Sequence, residues 1–149
     1  MEQDEIEALV GGAVQKLYDQ EIHLLRINAN ERALCGALAG FLQPLFPQHR
    51  VHVEFNRHGI VPKALALPDG DGKLTMQAVF PDIIAHQPGH DAQNLLAIEV
   101  KKSMSQYDPA RDRLKLIAMR EQLGYRHGLA LQLSTGPDAH QELVQWEWV

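Results

Sequence analysis

Asp82 opens the run PDIIAH, and Glu99 and Lys101 close the run NLLAIEVKK; both runs are otherwise largely apolar. An unpaired ion buried in such a strand costs several kcal/mol, so three of them call for a common compensating partner. The intervening QPGHD, residues 87–91, reads as a turn and makes the two runs a hairpin. With its centre near residues 90 and 91, Asp82 and Glu99 are equally far from the turn and stand directly opposite one another. Opposed residues share a face with Cβ atoms about 4.5–5.5 Å apart, and two carboxylates that close repel unless a cation lies between them. Lys101, two residues past Glu99, emerges on the same side. Ligation by a few oxygens suits Mg²⁺ (or Mn²⁺), which keeps several of its waters. Such a cation polarises a phosphoryl oxygen and lowers the pKa of a bound water. A lysine beside it orients that water or stabilises developing negative charge. The competing reading is an ordinary carboxylate–lysine ion pair at a strand end.

The elements that would hold this group follow from the hydrophobic period. Ile6, Leu9, Val10, Ala13, Val14 and Leu17 recur at helical spacing, with Gly11-Gly12 weakening the helix. A second helix is expected from Asn28 as N-cap, with Glu31 closing a capping box, and runs along Leu34, Leu38, Phe41 and Leu45 to Pro44 and Pro47. Val51, Val53 and Phe55 then alternate with polar residues, the mark of a half-buried strand. Residues 58–77 are rich in Gly and Pro and read as a loop with room for a short helical or strand insert. Strands follow at 78–86, where Pro81 suggests an edge or a bulge, and at 94–102, apolar on both faces and hence central. Asp108-Pro109 starts a helix that ends at Gly124. Residues 128–134 form a central strand, and Val144, Trp146 and Trp148 alternate in an edge strand. The order α-α-β-β-β-α-β-β predicts one α/β domain over 1–149, a mixed central sheet flanked by helices, with a parallel crossover from 94 to 134.

At about 100° per residue, Glu31 lies within roughly 20° of Leu38 and Leu42, on the flank of the apolar stripe. It can reach the cation or a cation-bound water, or else return to cap Asn28. Glu31 on a helix, Pro81-Asp82, and Glu99-Val100-Lys101 together resemble the PD-(D/E)xK nuclease superfamily. The element order from 28 to 134 is similar to its restriction-endonuclease-like αβββαβ core, here with an extra N-terminal helix and a C-terminal strand. The segments ERALCGALAGFLQ, VEFNR and NLLAIEVKK also resemble small bacterial proteins of that superfamily. The resemblance implies that Asp82 and Glu99 bind metal, that the Val100 carbonyl is a third ligand, that Lys101 is catalytic and that Glu31 completes the site. The expected function is metal-dependent hydrolysis of nucleic acid, DNA before RNA. The alternative is an inactive nucleic-acid-binding or regulatory module on the same fold.

Arg57, Lys63 and Lys102 are candidate phosphate contacts, each equally readable as a solvated charge. Glu54 can face the site or water, Gln122 and Tyr125 can touch substrate or the core edge, and Asp112 with Lys115 reads as a helix salt bridge. The eight histidines show no HxH, HxxxH or HExxH spacing, and neither GxxxxGK[ST] nor GxGxxG occurs. Nucleotide-triphosphate and dinucleotide binding therefore lack support. A net charge of −5 argues against sequence-blind wrapping of long nucleic acid. It predicts weak binding through a small patch over 101–126, reinforced by a partner protein or by a homodimer pairing on the 144–148 edge. In the other reading, both tryptophans fold back onto their own core. No stretch approaches ~18 apolar residues, the acidic start is not a secretory signal, and the single Cys35 fits a reducing, cytoplasmic setting.

Overall fold

The computed structural model describes residues 1–55, 64–89 and 92–149. Three helices, α1 (Gln3–Arg26), α2 (Glu31–Leu42) and α3 (Pro109–Leu123), flank a five-stranded mixed sheet. Its order is β1 (Arg50–Val53), β4 (Ile83–His86), β5 (Leu96–Lys102), β6 (His127–Leu133) and β7 (Gln145–Trp148). All neighbours are antiparallel except β5 and β6, which run parallel and are joined through α3. No helix among the described residues is long and apolar enough to cross a membrane.

Alternation along the strands sends side chains to two separate cores. Ile83, Ala85, Ile98, Val100, Leu129 and Leu131 pack against α1 and α2. Ile84 and Ala97 pack on the other face with Leu116, Met119 and Leu123 of α3. The Gly- and Pro-rich stretch carries a two-stranded antiparallel hairpin, β2 (Ala64–Pro68) and β3 (Leu74–Ala78), where a loop with a possible insert is expected. The Gln122 side chain ties it to α3, accepting from the Ala66 N–H and donating to the Ala66 carbonyl. The expected strand at 78–86 is thereby split: β3 ends at Ala78 and β4 begins at Ile83, with Pro81 between them. Pro81 marks neither an edge strand nor a bulge in one, because β4 is interior and Pro81 precedes it.

The junction of α1 and α2 also differs from expectation. Asn28 does not cap α2; it closes α1 with a left-handed φ of 53°, while Ala29 N–H bonds to Leu24 O and Asn28 N–H to Leu25 O. Asparagine tolerates this conformation and serves as the residue after the C-cap. The N-cap is Asn30, whose side chain accepts from Ala33 N–H at 2.8 Å. Glu31 is therefore the first residue of α2 and has no capping box to complete.

Trp146 and Trp148 pack against the chain's own core, and the Trp148 indole donates to Glu7 on α1. The tryptophans thus fold back onto this chain's own core, on a strand that ends the sheet. Replacing Asn30 by Ala is expected to lower the unfolding free energy by ~1 kcal/mol in urea titration. Asn28→Gly, which keeps the left-handed turn, should cost a few tenths of a kcal/mol at most; the reverse ranking would show that Asn28 is the cap.

Candidate metal centre

The centre is built on β4 and β5. Their register pairs Ile83 with Ile98 and Ile84 with Ala97. Continued one residue, it sets Asp82 opposite Glu99, and continued two, Pro81 opposite Val100. Asp82, Ile84, Ala97, Glu99 and Lys101 therefore share the α3 face of the sheet. The Asp82 side chain accepts from Val100 N–H at 2.7 Å.

Ser103 N–H bonds to Leu133 O on β6 and Leu95 O accepts from His127 N–H, while Leu95 N–H turns to Ala85 O of β4. Val100 N–H lies on the β4 side as well, where the Asp82 side chain takes it. Pro81, two residues before β4, has no N–H to give to β5.

Glu99 is 1% exposed, and its carboxyl group meets the Asp82 carboxyl and the Lys115 ammonium. Its counter-ion is Lys115 of α3, with Nζ 3.0 Å from Oε1. Burial first, and then the Asp82 carboxylate, push the Glu99 carboxyl up to about 8 against the pull of Lys115. Lys101 Nζ lies 3.8 Å from Asp112 Oδ1 and 4.0 Å from Glu31 Oε1. Burial works against the Lys101 charge, but Asp112, Glu31, Asp82 and Glu99 outweigh it and raise the amine above the ordinary lysine value. Burial, then Asp82, raise the Glu31 carboxyl, with Lys101 opposing. Burial likewise raises Asp112, opposed chiefly by Lys101 and Lys115. The Cys35 thiol, buried one turn beyond Glu31, is pushed upward by burial and by Asp82, Glu31 and Glu99.

The structure thus brings Glu31, Asp82, Glu99 and Lys101 to one place. Glu31 reaches it from α2, its carboxylate turned to Lys101 rather than to Asn28. Other expected contacts fall elsewhere. Lys102 emerges on the opposite face from Lys101, donates to Ala29 O at the α1–α2 junction, and by its charge opposes the rise of the Glu31 carboxyl. Arg57 and Lys63 lie outside the described residues. Glu54 pairs with Arg32 at 3.3 Å, Gln122 holds the hairpin, and Tyr125 is buried beside α3. Among the cations of 101–126, Arg111 donates to Pro68 O and Gln77, Arg113 to Glu147, and Arg120 to Val149 O.

Sequence reasoning missed Asp112 and Lys115 as members of the cluster, pairing them with each other instead. Asp112 follows the buried stripe of α3, with Leu116, Met119 and Leu123 at spacings of four, three and four. That placement was the available signal that it faces the sheet. Two cavities adjoin the cluster. One of about 180 Å³ runs under the start of α3, lined by Glu99, Lys101, Asp112, Tyr107, Gln132 and Gln145 among others. The second, about 360 Å³, is lined by Lys101, Arg111, Lys115, Asp112 and Phe80 on the hairpin side.

The donor set fits a small divalent cation in part. The facing carboxylates of Asp82 and Glu99 are hard oxygen donors of the kind Mg²⁺ accepts. Against that, no three His, Cys, Asp or Glu side chains among the described residues converge at ligand distance. One Asp82 oxygen is engaged by Val100 N–H and one Glu99 oxygen by Lys115. No protein-family model matches this chain, nor does a curated protein or a solved structure.

The Glu99 carboxyl fixes a pH dependence. Its folded pKa lies above the unfolded value, so the folded state holds the extra proton. The associated stability is complete below pH ~4.5 and is lost as pH rises to about 8. In chelator, wild type should lose stability relative to Glu99→Gln across that window, by up to ~1.4 kcal/mol per pH unit. Parallel denaturation curves of the two proteins at pH 5 and pH 8.5 check this; an unchanged difference would contradict the assigned shift.

Proposed function

We propose that this chain is a metal-dependent nuclease of the PD-(D/E)xK kind, hydrolysing phosphodiester bonds in DNA. The observation that carries the reading is the strand register that, continued one residue, opposes Asp82 to a Glu99 only 1% exposed, with Lys101 on the same face. In this reading Asp82, Glu99 and the Val100 carbonyl hold Mg²⁺ or Mn²⁺. When bound, the cation lowers the pKa of a water and polarises the phosphoryl oxygen. Lys101 acts as a fixed positive charge rather than as a base, because the carboxylates around it keep it protonated. It stabilises the negative charge that develops on phosphate during attack. Glu31, with its carboxyl raised and turned to Lys101, is placed to accept a proton from the attacking water.

One observation favours a second reading, a non-catalytic binding module. Lys115–Glu99 and Lys101–Asp112 already compensate much of the buried charge without any cation. In that case both pairs are permanent structure and no hydrolysis follows.

A cleavage screen separates the two readings. Labelled single- and double-stranded DNA and RNA are incubated with the protein in Mg²⁺, Mn²⁺ or chelator. Metal-dependent cleavage of DNA is expected, with Asp82→Asn, Glu99→Gln and Lys101→Ala each lowering the rate by about 10²–10⁴-fold. Circular dichroism of each variant controls for folding. Cleavage that survives Glu99→Gln undiminished, or no cleavage of any substrate by wild type, would reject the enzyme.

A further inference from the structure

We propose that the smaller cavity beside the candidate centre seats a single unpaired nucleobase, so that the preferred substrate is single-stranded nucleic acid. This rests on the nuclease reading above and adds the class of strand it takes. The cavity and the centre are continuous, because Glu99, Lys101 and Asp112 line both. What enters it is therefore attached to whatever sits at the centre.

Its walls decide the chemistry. Three carboxylates, Glu99, Asp112 and Glu147, line it against a single ammonium, that of Lys101. A phosphate placed there would be repelled. The remaining polar groups are neutral: the Gln132 and Gln145 amides and the Tyr107 phenol. Gln132 donates to the Tyr107 oxygen at 2.6 Å, which fixes the ring and leaves the phenolic hydrogen to be given elsewhere. Pro109 and Ala130 complete the wall as apolar surface. A flat, neutral group with donors and acceptors on its edge satisfies these walls, and within a nucleic acid that group is the base.

The second cavity has the opposite character. Lys101, Arg111 and Lys115 face it against Asp112, and the exposed ring of Phe80 stands at its rim. The two spaces flank the Lys101–Asp112 pair, so a strand can lay its phosphates along the cationic side and turn one base into the other. Size excludes the duplex. About 180 Å³ is well under the ~300–1,000 Å³ of a pocket for a drug-sized ligand, so it holds one ring system and not a base pair. A paired base would have to be unstacked first, which a single strand avoids.

The test is fluorescence anisotropy with the full chain and Ca²⁺ in place of Mg²⁺. Three labelled probes of equal length are compared: a DNA single strand, its blunt duplex, and an abasic strand with the same phosphates. Wild type should bind the single strand at least about tenfold tighter than either other probe. Gln132→Leu, which replaces the amide by an apolar group of similar size, should erase that preference while leaving abasic-strand affinity unchanged. Tyr107→Phe should reduce it by a few fold. Equal or tighter duplex binding overturns the proposal, as does a Gln132→Leu loss that is the same for normal and abasic strands. Mg²⁺-dependent cleavage without single-strand preference would refute the base site alone. The predicted binding without cleavage would refute the hydrolase alone, and neither binding nor cleavage would refute both.

Discussion

A carboxylate almost fully buried on a sheet face, opposite a second carboxylate, is the constraint around which this molecule is arranged. Removing Glu99 from water is costly unless charge of opposite sign and hydrogen bonds replace its hydration. The fold supplies opposite charge through Lys115, 3.0 Å away. The remedy used in an ordinary core, an apolar residue of similar size, is absent at a position flanked by Ile98 and Val100.

The surroundings can be read as consequences. Four carboxylates, Glu31, Asp82, Glu99 and Asp112, face two ammoniums, Lys101 and Lys115, and with all ionised the cluster carries two negative charges, the complement of one divalent cation. The elevated Glu99 carboxyl is what such an imbalance produces in isolation, because a proton stands in for part of the missing positive charge. α3 brings in Asp112 and Lys115 one turn apart, and its own core stripe fixes their height above the sheet. Lys115 thereby becomes the counter-ion to Glu99.

The part of this that depends on local rules was legible in the sequence. Counting outward from the 87–91 turn placed Asp82 against Glu99, and the register running from Ile83–Ile98 agrees, because strand pairing has a period of two and the turn fixes its origin. Asp108-Pro109 and Gly124 bounded α3 for similarly local reasons. What failed depended on choices between local equivalents. Asn28 and Asn30 both have capping chemistry, and only the chain's need for a left-handed residue after α1 decides which one caps α2. The β2–β3 hairpin was obscured by glycines and prolines that serve its turn, and its attachment through Gln122 is a long-range bond with no local signature. Lys102 departs from Lys101 for a local reason, since adjacent residues on a strand point to opposite faces, and its bond to Ala29 O depends on where α1 ends. Lys115 joins Glu99 across sixteen residues of chain, an encounter that only the β5–α3 packing creates.

Calorimetric titration of the full chain with Mn²⁺ asks whether the Asp82–Glu99 pair takes a cation. Run at pH 7 in two buffers of different ionisation enthalpy, wild type should show one saturable site whose apparent heat differs between buffers, since binding displaces the proton that Glu99 holds. Glu99→Gln should abolish both the binding and the buffer dependence. Absence of saturable binding to wild type, or binding of equal strength and heat to Glu99→Gln, would contradict the account.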